Sequence, residues 1–151
     1  MGADGLTGGC QCGAVRYRLG AAPHPVTICH CRMCQKAGGA PFMVFAPVPA
    51  VDFEITHGAL SLFQSSSIAE RGFCKACGTP LTYRDVQRDR VSVSVGSLDD
   101  PSAVTPTGQL GAEFALPWVE ASLKTPNLTV ADWLKQRKLS DIGPRQHPDH
   151  D

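Results

Sequence analysis

Val15, Tyr17 and Leu19 alternate with Arg16 and Arg18, and Val91, Val93 and Val95 alternate with Ser92 and Ser94. A period of two puts the apolar side chains of each run on one face of a half-buried strand. Shorter runs predict further strands over residues 26–28, 42–46, 52–56, 60–64, 68–73, 81–84 and 113–118. The chain's 15 glycines and 12 prolines punctuate these runs. Many short strands separated by turn signals predict an antiparallel, mainly β domain.

Helical patterning is scarce. A short turn is predicted over residues 32–37, stopped by Gly38 and Gly39. A second helix is predicted from Thr129 to about residue 139, because Thr129-Val130-Ala131-Asp132 reads as a capping box. Trp133 and Leu134 are expected to anchor that helix in the core. Residues 1–140 therefore read as one domain. Residues 141–151 are polar, lack periodicity and read as a disordered tail.

Length and composition fit that picture: 151 residues suit a single domain with its own core. Fourteen basic residues balance fourteen acidic ones, so no global field draws the chain to nucleic acid or an anionic membrane. The opening residues, Met1 to Leu6, carry no basic-then-apolar leader, and residues 40–51 are too short and proline-broken to span a bilayer. A soluble, cytoplasmic protein is the expectation.

Seven cysteines fall in three clusters: Cys10-Gln11-Cys12, Cys29-His30-Cys31-Arg32-Met33-Cys34 and Cys74-Lys75-Ala76-Cys77. In a reducing compartment such spacings favour metal binding over disulfides, and an odd total cannot pair completely. Cys74-Lys75-Ala76-Cys77-Gly78 has the form of a zinc knuckle, with Gly78 supplying the positive φ its turn requires. Four thiolates close a tetrahedral site, whereas three leave a position open. Joining Cys10 and Cys12 to the knuckle would give that split, but pairing Cys29 and Cys31 with the knuckle is also sterically conceivable.

His30 is the nearest candidate for a fourth central ligand, yet in an extended segment it points away from its two cysteine neighbours. A zinc held by Cys29, Cys31 and Cys34 alone is electron-rich and suits a soft ligand. A thiol bound there loses its proton and stays nucleophilic, which favours thiolate transfer to a small electrophile over hydrolysis.

Gly8-Gly9-Cys10-Gln11-Cys12-Gly13-Ala14-Val15-Arg16-Tyr17, the run from Cys29 to Gly38, and Arg71-Gly72-Phe73-Cys74-Lys75-Ala76-Cys77-Gly78-Thr79-Pro80-Leu81 together resemble one family in order and detail. It is the glutathione-dependent formaldehyde-activating family, which shares its domain with centromere protein V. Gly96-Ser97-Leu98-Asp99-Asp100-Pro101 resembles a further family segment. The resemblance implies a β-tent zinc fold with two zinc ions. Cys10, Cys12, Cys74 and Cys77 would hold a structural zinc, and Cys29, Cys31 and Cys34 a catalytic one. It also implies a carbon–sulfur lyase that joins glutathione to formaldehyde, with a non-catalytic, zinc-stabilised binding module as the alternative. Family members often carry histidine where this chain has Gln109.

Arg32 and Lys36 lie one helical turn apart beside the central cluster, placed to offset its charge or clamp a glutathione carboxylate. Arg71 is within reach of the same site, with a structural ion pair as its expected role. Asp99 and Asp100 are expected to shape the turn before Pro101 rather than to transfer protons.

Overall fold

The computed structural model describes residues 5–150, in two antiparallel-dominated sheets. The leader reading at residues 1–4, and the last residue of the expected tail, fall outside the described residues. A three-stranded sheet has the order β1-β2-β5, formed by β1 (Thr7–Gly9), β2 (Arg16–Leu19) and β5 (Phe53–His57). The larger sheet has the order β10-β3-β4-β9-β8-β7-β6. Its strands are β3 (Thr27–Cys29), β4 (Met43–Pro49), β6 (Ser61–Gln64), β7 (Ala69–Phe73), β8 (Pro80–Asp85), β9 (Arg90–Ser94) and β10 (Gly108–Leu110). Three helices, α1 (Arg32–Gly38), α2 (Val119–Ser122) and α3 (Val130–Arg137), complete the regular structure.

The period-two runs become β2 and β9 over most of their length, although Val15 precedes β2, Val95 falls in a 3₁₀ turn after β9, and Arg16 and Ser94 are buried rather than exposed. Tyr17 and Leu19 of β2 and Val93 of β9 are fully buried, and they pack with Val48, Leu81 and Leu98 into one core. Burying the Tyr17 ring also buries its hydroxyl, which lies 2.8 Å from Ser97 Oγ and so keeps a partner. Removal from water raises the Tyr17 phenol above its ordinary range, against the pull of that hydrogen bond.

Four expectations change. The strand expected over residues 42–46 runs from Met43 to Pro49: β3 pairs it only up to Phe45, and β9 pairs the remainder on the other side, with Pro47 opposite Ser92 and Pro49 opposite Arg90. Residues 113–118 form no strand. Gly111 turns into the left-handed region at φ 67°, a 3₁₀ turn follows over Ala112–Phe114, and none of Phe114, Leu116 and Trp118 is buried. β10 pairs β3 in parallel, against the antiparallel expectation, as its arrival by a long connection allows. Trp133 and Leu134 are not core anchors: no residue of α3 is buried, and Trp133 instead lies beneath the Arg137 guanidinium. The α3 cap itself forms as read, with the Asp132 N–H donating to Thr129 Oγ1 at 3.1 Å.

β1 escaped the pattern because two of its three residues are glycines. A Cβ on Gly8 would meet the Ser97 carbonyl oxygen at 2.4 Å and the Tyr17 hydroxyl at 2.5 Å, so the strand needs bare backbone here. No helix among the described residues is long and apolar enough to cross a membrane. After Arg137 the described chain has neither helix nor strand, and the His147 N–H donates to the Gln11 carbonyl at 2.7 Å.

Candidate metal centres and active site

Two turns bring four of the cysteines together. Cys10 and Cys12 sit in the turn between β1 and β2, and Cys74 and Cys77 in the turn between β7 and β8. Their four sulfurs all lie within 4.8 Å of one another. The Cys10 and Cys12 sulfurs are 3.6 Å apart, and those of Cys12 and Cys74 are 3.8 Å apart. Four sulfurs at a zinc–sulfur distance of 2.3 Å in a tetrahedron would be separated by about 3.8 Å, so this donor set fits a closed metal site. The turns hold it from outside. The Val15 N–H donates to the Cys10 sulfur at 3.2 Å, and Gly78, at φ 78°, lets its own N–H reach the Cys74 carbonyl at 2.8 Å.

The thiols of this cluster differ in proton affinity. Burial raises Cys74. Cys77 is held down at about 6, since its slight burial is outweighed by the Thr79 hydroxyl, 3.2 Å from its sulfur, and by neighbouring backbone amides.

The central cluster is built on one strand end and one helix. Cys29 closes β3, Cys31 is the residue before α1, and Cys34 lies within its first turn. Their three sulfurs also lie within 4.8 Å of one another. Burial pushes the Cys29 thiol up to about 12. Cys34 is also raised by burial, against the hydrogen bond that Arg71 Nη2 donates to its sulfur at 3.3 Å. At Cys31 burial is outweighed by the Cys34 backbone amide and by the neighbouring thiols, so its thiol is lowered. Two buried thiols flanking one readily ionised sulfur make a donor set that suits a soft, divalent metal.

His30 is not part of the cluster. Its Nε2 lies 2.7 Å from Gln109 Oε1, its backbone N–H donates to the Leu110 carbonyl at 2.9 Å, and its ring packs edge-on against Phe42. The outward orientation expected from strand alternation therefore holds, and three thiolates are left to share the central site. Gly111, just beyond β10, passes so close that a Cβ on it would stand 3.1 Å from the Cys31 nitrogen.

A cavity of about 550 Å³ opens beside this cluster. Met33, Met43, Phe63 and Phe73 supply its apolar walls, and Arg32, Lys36 and Arg71 contribute three cations with no carboxylate among the lining residues. Arg32 and Lys36 are exposed, and Arg32 Nη1 donates to Gln35 Oε1 at 3.3 Å. Gln35, which sequence reasoning passed over, is buried and ties the helix to two carbonyls, His30 at 2.9 Å and Phe114 at 3.1 Å. Phe73 lines the cavity, while Phe45 is buried against Cys29, Cys34 and Met43.

Two further expectations are corrected by geometry. Arg71 makes no ion pair with a carboxylate among the described residues, although that was its expected role. Asp99 is more than a turn residue: it takes both Arg16 nitrogens, at 2.8 and 2.6 Å, and a Thr7 hydroxyl at 2.5 Å. Asp100 does shape the turn, its Oδ1 accepting from the Ser102 N–H at 3.0 Å.

The description of the glutathione-dependent formaldehyde-activating enzyme family matches residues 5–112. A Halomonas elongata protein named after the same activity is 30% identical over 148 residues, covering 85% of this chain and 93% of its own. An uncharacterised lyase of Schizosaccharomyces pombe is 36% identical over 78 residues, half of this chain and 55% of its own. Among solved structures, the crystal structure of a Rhodobacter sphaeroides protein superposes with a TM-score of 0.56 at 24% identity, covering 69% of this chain and 99% of its own, a likeness of fold.

Proposed function

The chain belongs to the glutathione-dependent formaldehyde-activating family, and on that premise we propose that it is a carbon–sulfur lyase of the S-(hydroxymethyl)glutathione synthase type. It adds the thiol of glutathione to formaldehyde or a similarly small aldehyde. The observation that carries this reading is the set of three cysteine sulfurs within 4.8 Å of one another, with no fourth ligand among the described residues, near a cation-lined cavity. Cys29, Cys31 and Cys34 hold a catalytic zinc, while Cys10, Cys12, Cys74 and Cys77 hold a structural one, two zinc ions per chain. A bound zinc supplies the Lewis acidity that favours the anionic form of a thiol beside it.

The chain's own residues do the rest. Arg32 and Lys36 face the cavity as cations and fix the carboxylates of the peptide thiol, so that its sulfur is delivered to the open side of the cluster. Met33 and Phe63 line the same cavity and offer apolar surface to the aliphatic part of the thiol substrate. In the net reaction one S–C bond forms to the carbonyl carbon, and the thiol proton ends on the former carbonyl oxygen. No electrons leave or enter, so no redox cofactor is required. Seven unpaired thiols fit a reducing compartment such as the cytoplasm.

The test is the rate of S-hydroxymethyl adduct formation above the spontaneous reaction. Cys31→Ser is expected to fall to the uncatalysed rate while retaining the metal of the outer four-cysteine site. A Cys31→Ser protein as fast as the wild type would overturn the assignment, and two inert metal ions in the wild type would favour a binding module instead.

A further inference from the structure

Arg71 is a buried cation without a carboxylate. It is 8% exposed, at the centre of β7, where it pairs with Phe63 on one side and Tyr83 on the other. Its Nη2 donates to the Cys34 sulfur at 3.3 Å, its Nε donates to Ser65 Oγ at 3.0 Å, and its guanidinium lies 5.1 Å from the centre of the Tyr83 ring. Taking a guanidinium out of water costs several kcal/mol unless an anion compensates it. The fold shows how it meets that cost elsewhere: Arg16, equally buried, faces Asp99 through two hydrogen bonds. For Arg71 the partner is the Cys34 sulfur, which is an anion once it ligates a metal.

Charge arithmetic makes the same point. Three thiolates around a divalent ion carry a net charge of about −1, which one buried guanidinium neutralises. Among the described residues no arginine donates a hydrogen bond to a sulfur of the four-cysteine site; its support comes from Val15 and Thr79. Each centre is thus stabilised by a different device, a backbone turn in one and a cation in the other.

We propose that Arg71 is a positioning residue for the three-cysteine centre, holding the Cys34 sulfur in place and balancing the charge left on that centre when it binds a divalent metal. This rests on the reading above that Cys29, Cys31 and Cys34 hold a metal. Arg71 thereby sets the metal affinity of the central site independently of the outer one. The same guanidinium also lines the cavity.

The experiment compares the full-length wild type with Arg71→Gln and Arg71→Lys. Zinc affinities of the two centres are measured by chelator competition. Cobalt loading adds a spectroscopic signature, in which glutathione perturbs only the sulfur-to-cobalt bands of the open centre. Arg71→Gln is expected to weaken the central centre roughly ten- to hundredfold and leave the four-cysteine centre unchanged. Arg71→Lys, which keeps the charge but loses the planar fork, is expected to fall between. Central-site affinity and cobalt bands equal to wild type in both variants would overturn the proposal. Should Arg71→Gln fail to fold, as shown by an empty outer centre, Arg71→Lys decides alone: a weakened central centre supports the role, and an unchanged one overturns it. A wild type that binds metal only at the outer centre would instead overturn the functional reading, and this proposal with it.

Discussion

Nε2 of His30 lies 2.7 Å from Oε1 of Gln109. An amide oxygen can only accept, so the imidazole donates its Nε2 proton and keeps the Nδ1 lone pair, which has no partner among the described residues. The contact spans 79 residues and links β10 to the segment that carries Cys29 and Cys31. Gln109 is therefore occupied in orienting His30. Replacing it with leucine would leave a buried donor without an acceptor, at a cost of about 1–3 kcal/mol. Calorimetry should show Tm lower by roughly 3–10 °C. Nitrogen NMR of the wild-type ring should report the Nε2-protonated tautomer, and the opposite tautomer would refute this orientation.

The outer site should act as a clip between the two sheets, since it joins the β1–β2 turn to the β7–β8 turn. Cys77 is exposed, so Cys77→Ser removes a ligand without opening a cavity. Metal stoichiometry is expected to fall from two ions to one, and Tm by on the order of 10 °C. Metal analysis paired with thermal unfolding checks both, and a full complement of metal would show that Cys77 is no ligand.

Arg32 and Lys36 should contribute to binding rather than to chemistry, because they line the cavity and do not touch the sulfurs in any recorded hydrogen bond. An Arg32→Ala/Lys36→Ala protein is expected to raise KM for glutathione about tenfold with kcat little changed. Its KM for 2-mercaptoethanol, which has no carboxylate, should stay the same. A drop in kcat with both thiols would move these residues into the reacting machinery.

Asp99 should govern stability in acid. Its carboxyl is held below the usual carboxylate range, chiefly by the Arg16 hydrogen bonds and next, against the effect of burial, by the Thr7 hydroxyl. A depressed folded-state pKa gives stability that is full above the unfolded value of about 3.9 and lost as pH falls through the lower folded value. Asp99→Asn is expected to cost on the order of 3 kcal/mol at neutral pH. The gap from wild type should close as pH falls below about 4, which urea titrations across that range would read directly. A gap constant with pH would mean that the pair's charge is not what stabilises it.

Much of the scaffold was legible because its signals are local. Alternation in residues 15–19 and 91–95 reports burial on one face, and Thr129 with Asp132 reports a helix start, whatever lies elsewhere in the chain. Glycine-flanked cysteine pairs report turns for the same reason. Residues 113–118 misled because Phe114, Leu116 and Trp118 alternate like a strand, yet the left-handed turn at Gly111 sends the chain away from any ladder. β1 was invisible since glycine carries no side chain with which to show a period.

What the amino-acid order determined by itself was the chemistry available: seven thiols in turn-forming clusters, a central run with three cysteine sulfurs, and cations beside it. What only the tertiary structure decided was the allocation. Cys12 and Cys74 stand 62 residues apart in sequence and 3.8 Å apart in space, and no spacing rule chooses that partner over another. The same holds for Arg71 and Cys34, and for Gln109 and His30, which meet only because the folded sheet brings the Arg71 side chain of β7 to the Cys34 sulfur and β10 docks beside β3. Side-chain patterns encode which face is buried, while the meeting of distant faces depends on how whole strands pack, and that is a property of the folded chain.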